Sequence, residues 1–288
     1  MDADAAPARR PSPPRIRYAP LGYSALYLLF WLIAPRIPDA RMLTVVASTI
    51  VSLTLLVLVT AATARALQST WSALTLAVLA AAASVPLRAL YAMNLLIPPW
   101  AWLLKVPGAP DLAFVLLGAA VGVLLSRLLR SANMIPPAAA ALAVVDIWTV
   151  LLGGPVQNVM QRGTQQAQRT VEAMTVRLPA PTTGAAPIAV VGFADFLFMA
   201  FFVAALCRFA GDKIGYRRTV PSLIVLLSAY MVVVLVTGWS LPALVPMAVV
   251  VVALHWRQFR YERSELFAML YAAILVVALI AAGVFLLR

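Results

Sequence analysis

The sequence contains few charged residues. Only 11% of its 288 residues are charged, whereas 64% are hydrophobic, and the mean hydropathy is +0.96. A soluble domain carries about 25% charged residues, which it needs to cover its surface. The shortage of charge therefore excludes a soluble enzyme, a disordered chain and a fibrous repeat. It predicts a membrane protein that crosses the bilayer several times.

Cysteine and histidine are almost absent. Cys207 and His255 are the single residues of their types. One cysteine excludes an intrachain disulfide and a thiolate zinc site, and one histidine cannot supply the His-Glu-x-x-His motif of a zinc protease. We therefore expect no metal and no cofactor. Cys207 precedes Arg208 and His255 ends an apolar span, so we expect packing or boundary roles for both.

Basic residues outnumber acidic ones, and the formal net charge is +12. Such an excess is typical of nucleic-acid-binding proteins. In a membrane protein, however, Lys and Arg gather in the cytoplasmic loops. We therefore expect the lipid bilayer, and no nucleic acid, among the partners.

Apolar stretches recur along the whole chain. A helix needs roughly 20 apolar residues to cross a bilayer, and we compare the length of each stretch with that number. We predict spans at 20–35, 42–64, 112–130, 134–153, 188–208, 219–238, 241–256 and 265–287. The stretch 69–106 adds either one span with a re-entrant piece or two short spans broken near Pro86 and Arg88. The predicted fold is an all-α bundle of nine or ten transmembrane helices.

The predicted chain has three parts. A basic, disordered tail covers 1–19, the N-terminal helices lie in 20–131, and the C-terminal half covers 132–288. A long loop at 154–187 lies within the C-terminal half, and its apolar residues recur at helical spacing from 156 to 178. This pattern predicts a helix on the membrane surface.

Only two of the ten acidic residues, Asp146 and Asp195, lie well inside apolar spans. An ionised carboxylate at the centre of a membrane helix costs about 2.5–3.5 kcal/mol. We therefore expect each of the two residues to have a functional or structural role that offsets this cost. Each residue is about seven positions from the span end that joins the 154–187 loop, which is roughly 10 Å from the same membrane face. Antiparallel neighbouring helices would bring the two carboxylates together at that depth.

A pair of adjacent carboxylates has a characteristic chemistry. The two groups resist simultaneous ionisation and share one proton. One can then take a proton from water while the other protonates a carbonyl, which is the chemistry of aspartic peptide hydrolysis. Buried carboxylates also serve as proton relays in transporters, or as caps that hydrogen-bond a broken helix. The positions of the two residues leave all three alternatives open.

Three short sequences carry a family resemblance: Val145-Asp146, Gly192-Phe193-Ala194-Asp195 and Pro242-Ala243-Leu244. In this order the chain resembles the presenilin and signal-peptide-peptidase family of intramembrane aspartyl proteases. That family carries Tyr-Asp on one helix, Gly-x-Gly-Asp on the next and Pro-Ala-Leu two helices later. The resemblance covers about 135–256.

The chain departs from the family pattern at three points. Val145 stands where the family has Tyr, Ala194 replaces the second Gly, and a complete span follows the Pro-Ala-Leu helix. Two alternatives therefore stay open. The chain could have a changed substrate preference, or it could be a catalytically inactive relative that binds helices.

The resemblance implies roles for individual residues. Asp146 and Asp195 would be the catalytic pair that hydrolyses transmembrane helices of substrate proteins. Gly192 would allow close approach of a substrate strand or a helix, with Ala194 beside it. Further residues would shape the site or pair with an extended substrate through main-chain hydrogen bonds. The shaping residues are Pro242, Ala243 and Leu244, and the pairing candidates are Thr175, Val176, Arg177 and Leu178. The sequence identifies no accessory subunit.

Charge predicts the orientation of the C-terminal half. Four basic residues, Arg162, Arg169, Arg177 and Arg288, lie on the side of the 154–187 loop. Nine lie on the opposite side, which we therefore expect to be cytoplasmic. They are Arg127, Arg130, Arg208, Lys213, Arg217, Arg218, Arg257, Arg260 and Arg263. We expect a prokaryotic plasma membrane, with the 154–187 loop outside the cytoplasm.

Overall fold

The computed structural model describes residues 14–37, 42–67, 69–93, 108–151, 174–179, 190–238 and 241–261, with the single positions 267, 274 and 278. Most of the predicted surface helix in 154–187 lies outside these residues. The predicted tail up to residue 13 lies outside them as well. Of the predicted span 265–287, only the three single positions are described.

Helices make up most of the described chain, together with one two-stranded sheet. The elements are α1 Pro14–Ile33, α2 Met42–Ala66, α3 Thr70–Met93, α4 Ala109–Ser126, α5 Ile135–Leu151, β1 Thr175–Arg177, β2 Val190–Gly192, α6 Phe193–Phe209, α7 Asp212–Gly215, α8 Thr219–Thr237 and α9 Leu244–His255.

Five helical stretches of the described chain are long and apolar enough to cross a bilayer. They are Tyr18–Arg36, Met42–Ala66, Ala109–Ser126, Ala132–Val150 and Asp212–Thr237. The chain is therefore a multi-pass helical membrane protein.

The N-terminal helices differ from the predicted spans at two places. α1 begins at Pro14 rather than at residue 20, because proline fits the first turn of a helix, where its missing N–H is not needed. Residues 14–19 of the predicted disordered tail are therefore helical. α3 continues without a break through Pro86 and Arg88, so the division expected there does not occur among the described residues.

Two stretches within predicted helices are strand. Residues 190–192, at the start of the predicted span 188–208, form β2, and Thr175–Arg177 in the predicted surface helix forms β1. Val176, Val190 and Val191 are β-branched and favour an extended backbone. The fold is therefore a helical bundle with a small sheet rather than purely all-α.

Helices α4 and α6 form the most extensive contact among the described helices. A Cβ atom on Gly122 would lie 2.0 Å from the carbonyl oxygen of Leu197, and one on Gly118 would lie 3.1 Å from the Phe193 ring. The two glycines, one turn apart, therefore let the helix backbones approach directly. The inward face of α6 is buried along its length, at Phe196, Met199, Ala200 and Val203. This packing fixes the helix that carries Asp195.

Polar contacts mark the end of the bundle opposite the two aspartates. Arg65 forms an ion pair with Asp212, and Arg208 donates to the carbonyl of Leu129. Asn133 Nδ2 donates to the Arg260 carbonyl at 2.6 Å. Two of the basic residues expected on the cytoplasmic side, Arg208 and Arg260, therefore lie at this end. We call the other end, which contains Asp146 and Asp195, the aspartate end.

We predict that Gly122→Ala destabilises the bundle. The new methyl group would overlap the Leu197 carbonyl, and overpacking of this kind costs about 1–3 kcal/mol. Thermal unfolding in detergent would measure the loss as a lower midpoint. Gly22→Ala is the matched control, because no atom lies within 4 Å of a Cβ built there. An unchanged midpoint for Gly122→Ala would contradict the close α4–α6 contact.

Candidate active site

Asp146 lies near the C-terminal end of α5 and is bound by the start of α9. Its Oδ2 accepts a hydrogen bond from the backbone N–H of Leu244 at 2.8 Å. Leu244 is the first residue of α9, and the first N–H groups of a helix have no partner within the helix. The helix N-terminus therefore stabilises a negative charge on Asp146. The Pro-Ala-Leu sequence thus lies directly beside Asp146.

Asp195 lies in the first turn of α6 and bonds to the residue that precedes the helix. The N–H of Gly192 donates to Asp195 Oδ2 at 3.1 Å, in the manner of a capping box. A Cβ on Gly192 would lie 3.4 Å from the same oxygen, which is an ordinary contact. The side chain of Ala194 is exposed. The methyl group of Ala194 therefore does not crowd the described residues.

The two carboxylates are close enough to interact. The negative charge of Asp146 acts on Asp195, and both side chains are partly buried. Towards the opposite end of the bundle, residues of α5 and α6 share a core cluster with α9. That cluster includes Ile135, Ala139, Phe201, Phe202, Leu206, Ala248 and Val251. The packing of the three helices thus brings both acids and the Pro-Ala-Leu turn to the aspartate end.

Tyr230 is a site residue that the sequence reasoning missed. Its hydroxyl donates to the carbonyl oxygen of Pro242 at 2.7 Å, and the charges of Asp146 and Asp195 both act on it. Tyr230 is the single aromatic residue of α8, whose other apolar residues are aliphatic or small. That contrast is the signal that could have identified it. Tyr230 connects α8 to the turn that binds Asp146.

The hairpin of β1 and β2 leads directly into α6. The strands are antiparallel, with Thr175 opposite Gly192, Val176 opposite Val191 and Arg177 opposite Val190. Phe193 N–H donates to the Met174 carbonyl at 3.0 Å and continues this ladder. Of the four predicted pairing candidates, Thr175, Val176 and Arg177 thus form β1, and Leu178 follows as a buried residue.

An ion pair from α3 and α4 lies against β1. Arg88 Nη2 lies 3.3 Å from Asp111 Oδ1 and donates to the Thr175 carbonyl at 3.1 Å. The Asp111 carboxylate also faces the backbone N–H of Arg177. This contact could not be predicted from the sequence, because Asp111 stands at a span end and Arg88 in an ambiguous stretch.

His255 and Cys207 take no part in the aspartate end. His255 is buried, and its Nε2 lies 2.8 Å from Thr219 Oγ1, at the start of α8 and the end of α9. Cys207 lies near the C-terminal end of α6. In the part of the chain that the structure describes, no three His, Cys, Asp or Glu side chains come together as a donor set for a metal ion.

Comparisons of the chain with protein-family models, curated proteins and solved structures found no match.

We predict that Tyr230→Phe loosens the turn that binds Asp146. The substitution removes the hydrogen bond to the Pro242 carbonyl, and loss of one such bond costs about 1 kcal/mol. Hydrogen exchange, read by mass spectrometry on the peptide that contains Leu244, should become faster, and the unfolding midpoint should fall slightly. Tyr18→Phe is the control, because Tyr18 is exposed. Equal exchange in the two variants would contradict a role for Tyr230 in holding the turn.

Proposed function

We propose that the protein is an intramembrane aspartyl protease that hydrolyses peptide bonds in transmembrane substrates. The observation that carries the proposal is the hydrogen bond from Leu244 N–H to Asp146, at a site where the Asp146 charge also acts on Asp195. Of three sequences far apart in the chain, two are joined by this hydrogen bond, and the third lies within electrostatic range of Asp146. They are the three sequences that carry the resemblance to the presenilin and signal-peptide-peptidase family. A bundle in which each acid had a separate structural role would not require this arrangement.

The proposed reaction uses the two carboxyl groups as one base and one acid. The ionised carboxylate takes a proton from water, and the water oxygen forms a bond to the scissile carbonyl carbon. The protonated carboxyl gives its proton to the carbonyl oxygen, which yields a tetrahedral diol. When the C–N bond breaks, the newly protonated carboxyl gives its proton to the leaving nitrogen, and the other carboxylate takes a proton from a hydroxyl of the diol, which becomes the product carboxyl group. The pair therefore holds one proton before and after each step.

The proposed substrate reaches the pair as an extended segment beside β2. The Phe193–Met174 bond and the antiparallel register direct the peptide groups of Val190 and Gly192 away from β1. The Gly192 N–H is bound to Asp195, which leaves Val190 as the described residue whose peptide group faces a pairing substrate. Strand addition supplies main-chain hydrogen bonds and holds a peptide bond in an unwound, cleavable form. In this proposal β1 supports β2 from the other side.

We predict that Asp146→Asn and Asp195→Asn each lower the cleavage rate of a model transmembrane substrate by roughly 10²–10⁴-fold, because each removes one partner of the proton transfer. The double variant should be no slower than the slower single variant, since the two groups act as a unit. Cleavage would be measured by mass spectrometry of the products in liposomes. Asp212→Asn is the matched control, because Asp212 pairs with Arg65 at the opposite end of the bundle.

The proposal fails if the wild-type protein cleaves no transmembrane substrate, or if either variant cleaves as fast as wild type. The transporter alternative can be tested in the same liposomes by measuring proton flux across the membrane. Proton flux that depends on Asp146 and Asp195, in the absence of cleavage, would assign the two acids to a proton relay.

A further inference from the structure

The outer edge of β1 presents polar backbone groups that need partners. In an antiparallel pair, peptide groups point alternately towards the partner strand and away from it. Because the Phe193 N–H bonds the Met174 carbonyl, the peptide groups of Val176 point to β2, and those of Thr175 and Arg177 point away. An edge of this kind invites another strand unless other groups of the protein cover it.

Arg88 and Asp111 occupy this edge as a neighbouring strand would. Arg88 donates to the outward carbonyl of Thr175 at 3.1 Å, and the Asp111 carboxylate faces the outward N–H of Arg177. The guanidinium supplies the donor and the carboxylate supplies the acceptor, in the order that a strand would offer them. The two side chains also bind each other at 3.3 Å. The outer edge of β1 is thus closed at two alternate residues.

The same arginine connects the edge to the helix of Asp195. The Arg88 guanidinium lies over the Phe114 ring, with Cζ 3.8 Å from the ring centroid. Phe114 packs against Phe193, with 4.5 Å between the ring centroids, and Phe193 is the first residue of α6. A planar guanidinium can stack on a ring while its edge donates hydrogen bonds, which a lysine ammonium cannot do. The position of β1 is therefore tied to the first turn of α6.

We propose that the Arg88–Asp111 pair is a positioning device that caps the outer edge of β1, so that an extended substrate segment pairs at the β2 edge beside Asp195. This inference rests on the proposed protease function. The capping of β1 itself does not depend on catalysis. The two parts can therefore be tested separately.

The test compares wild type with Arg88→Leu/Asp111→Leu, which removes the pair without leaving a lone buried charge. Hydrogen exchange of the backbone amides at 175–177 reports on the cap, and the steady-state kinetics of a model transmembrane substrate report on positioning. Arg65→Leu/Asp212→Leu removes an ion pair at the opposite end of the bundle and is the matched control. Asp111→Asn serves as a milder variant if the double leucine variant does not fold. Arg88→Lys tests whether a positive charge at this position is sufficient to cap β1 without the planar guanidinium.

We expect exchange at 175–177 to rise about tenfold in the double leucine variant, the effect of losing one strong hydrogen bond, with no change in the control. KM should rise severalfold while kcat stays within about twofold, because binding of the extended segment is weakened and the proton transfer is not. Arg88→Lys should retain part of the exchange protection at 175–177, but its KM for the substrate should remain above that of wild type.

Unchanged exchange at 175–177 would overturn the cap. Faster exchange with an unchanged KM, or with a loss confined to kcat, would overturn the positioning role. Absence of cleavage by the wild-type protein would refute the proposed function, and the exchange measurement would still decide whether Arg88 and Asp111 cap β1.

Discussion

The structure depends on one constraint, which is that a polar group removed from water must find its partner in the protein. The chain satisfies this constraint with single, directed bonds. Asp146 accepts from Leu244, Asp195 accepts from Gly192, and Tyr230 donates to Pro242. Each bond joins a side chain to a backbone group at a helix end or a strand end, where backbone groups lack partners within their own element. The backbone groups that bind these three side chains therefore lie at or beside the ends of elements, although Tyr230 itself lies in the middle of α8.

Helix packing determines which ends meet. The contact of α4 with α6 is close because Gly118 and Gly122 carry no side chain, and it fixes α6 in the core. The same two helices then hold both sides of the hairpin, since α4 supplies Asp111 to β1 and α6 continues from β2. The Asp195 carboxylate is thus fixed relative to α4 without any direct bond between Asp195 and that helix. A loss of this packing would move Asp195, the hairpin and Asp111 together.

Hydropathy predicted most of the helices, because a bilayer requires an apolar stretch of nearly fixed length. The described helices from α4 to α9 match predicted spans to within a few residues, apart from the short α7. The strand at 190–192 was missed because Val-Val-Gly is equally apolar in a helix and in a strand, and only pairing with 175–177 distinguishes the two. The position of Asp146 and Asp195 at the same end of the bundle could be predicted, because each lies about seven residues from a span end and the 154–187 loop joins those two span ends. The contacts of Arg88 with Asp111 and Thr175 could not, because side-chain contacts between distant segments leave no local pattern.

The departures from the family pattern take on a physical meaning in the folded chain. Val145 is 47% exposed, so the side chain that precedes Asp146 points towards the surface of the described residues rather than towards Asp195. A phenolic hydroxyl nevertheless lies near both acids, because Tyr230 enters from α8 and is held by the Pro242 carbonyl. A hydroxyl that arrives from a different helix is anchored to the turn that also binds Asp146. The bond that holds Tyr230 and the bond that holds Asp146 therefore share the same three-residue turn, and a movement of that turn would change the surroundings of both acids at once.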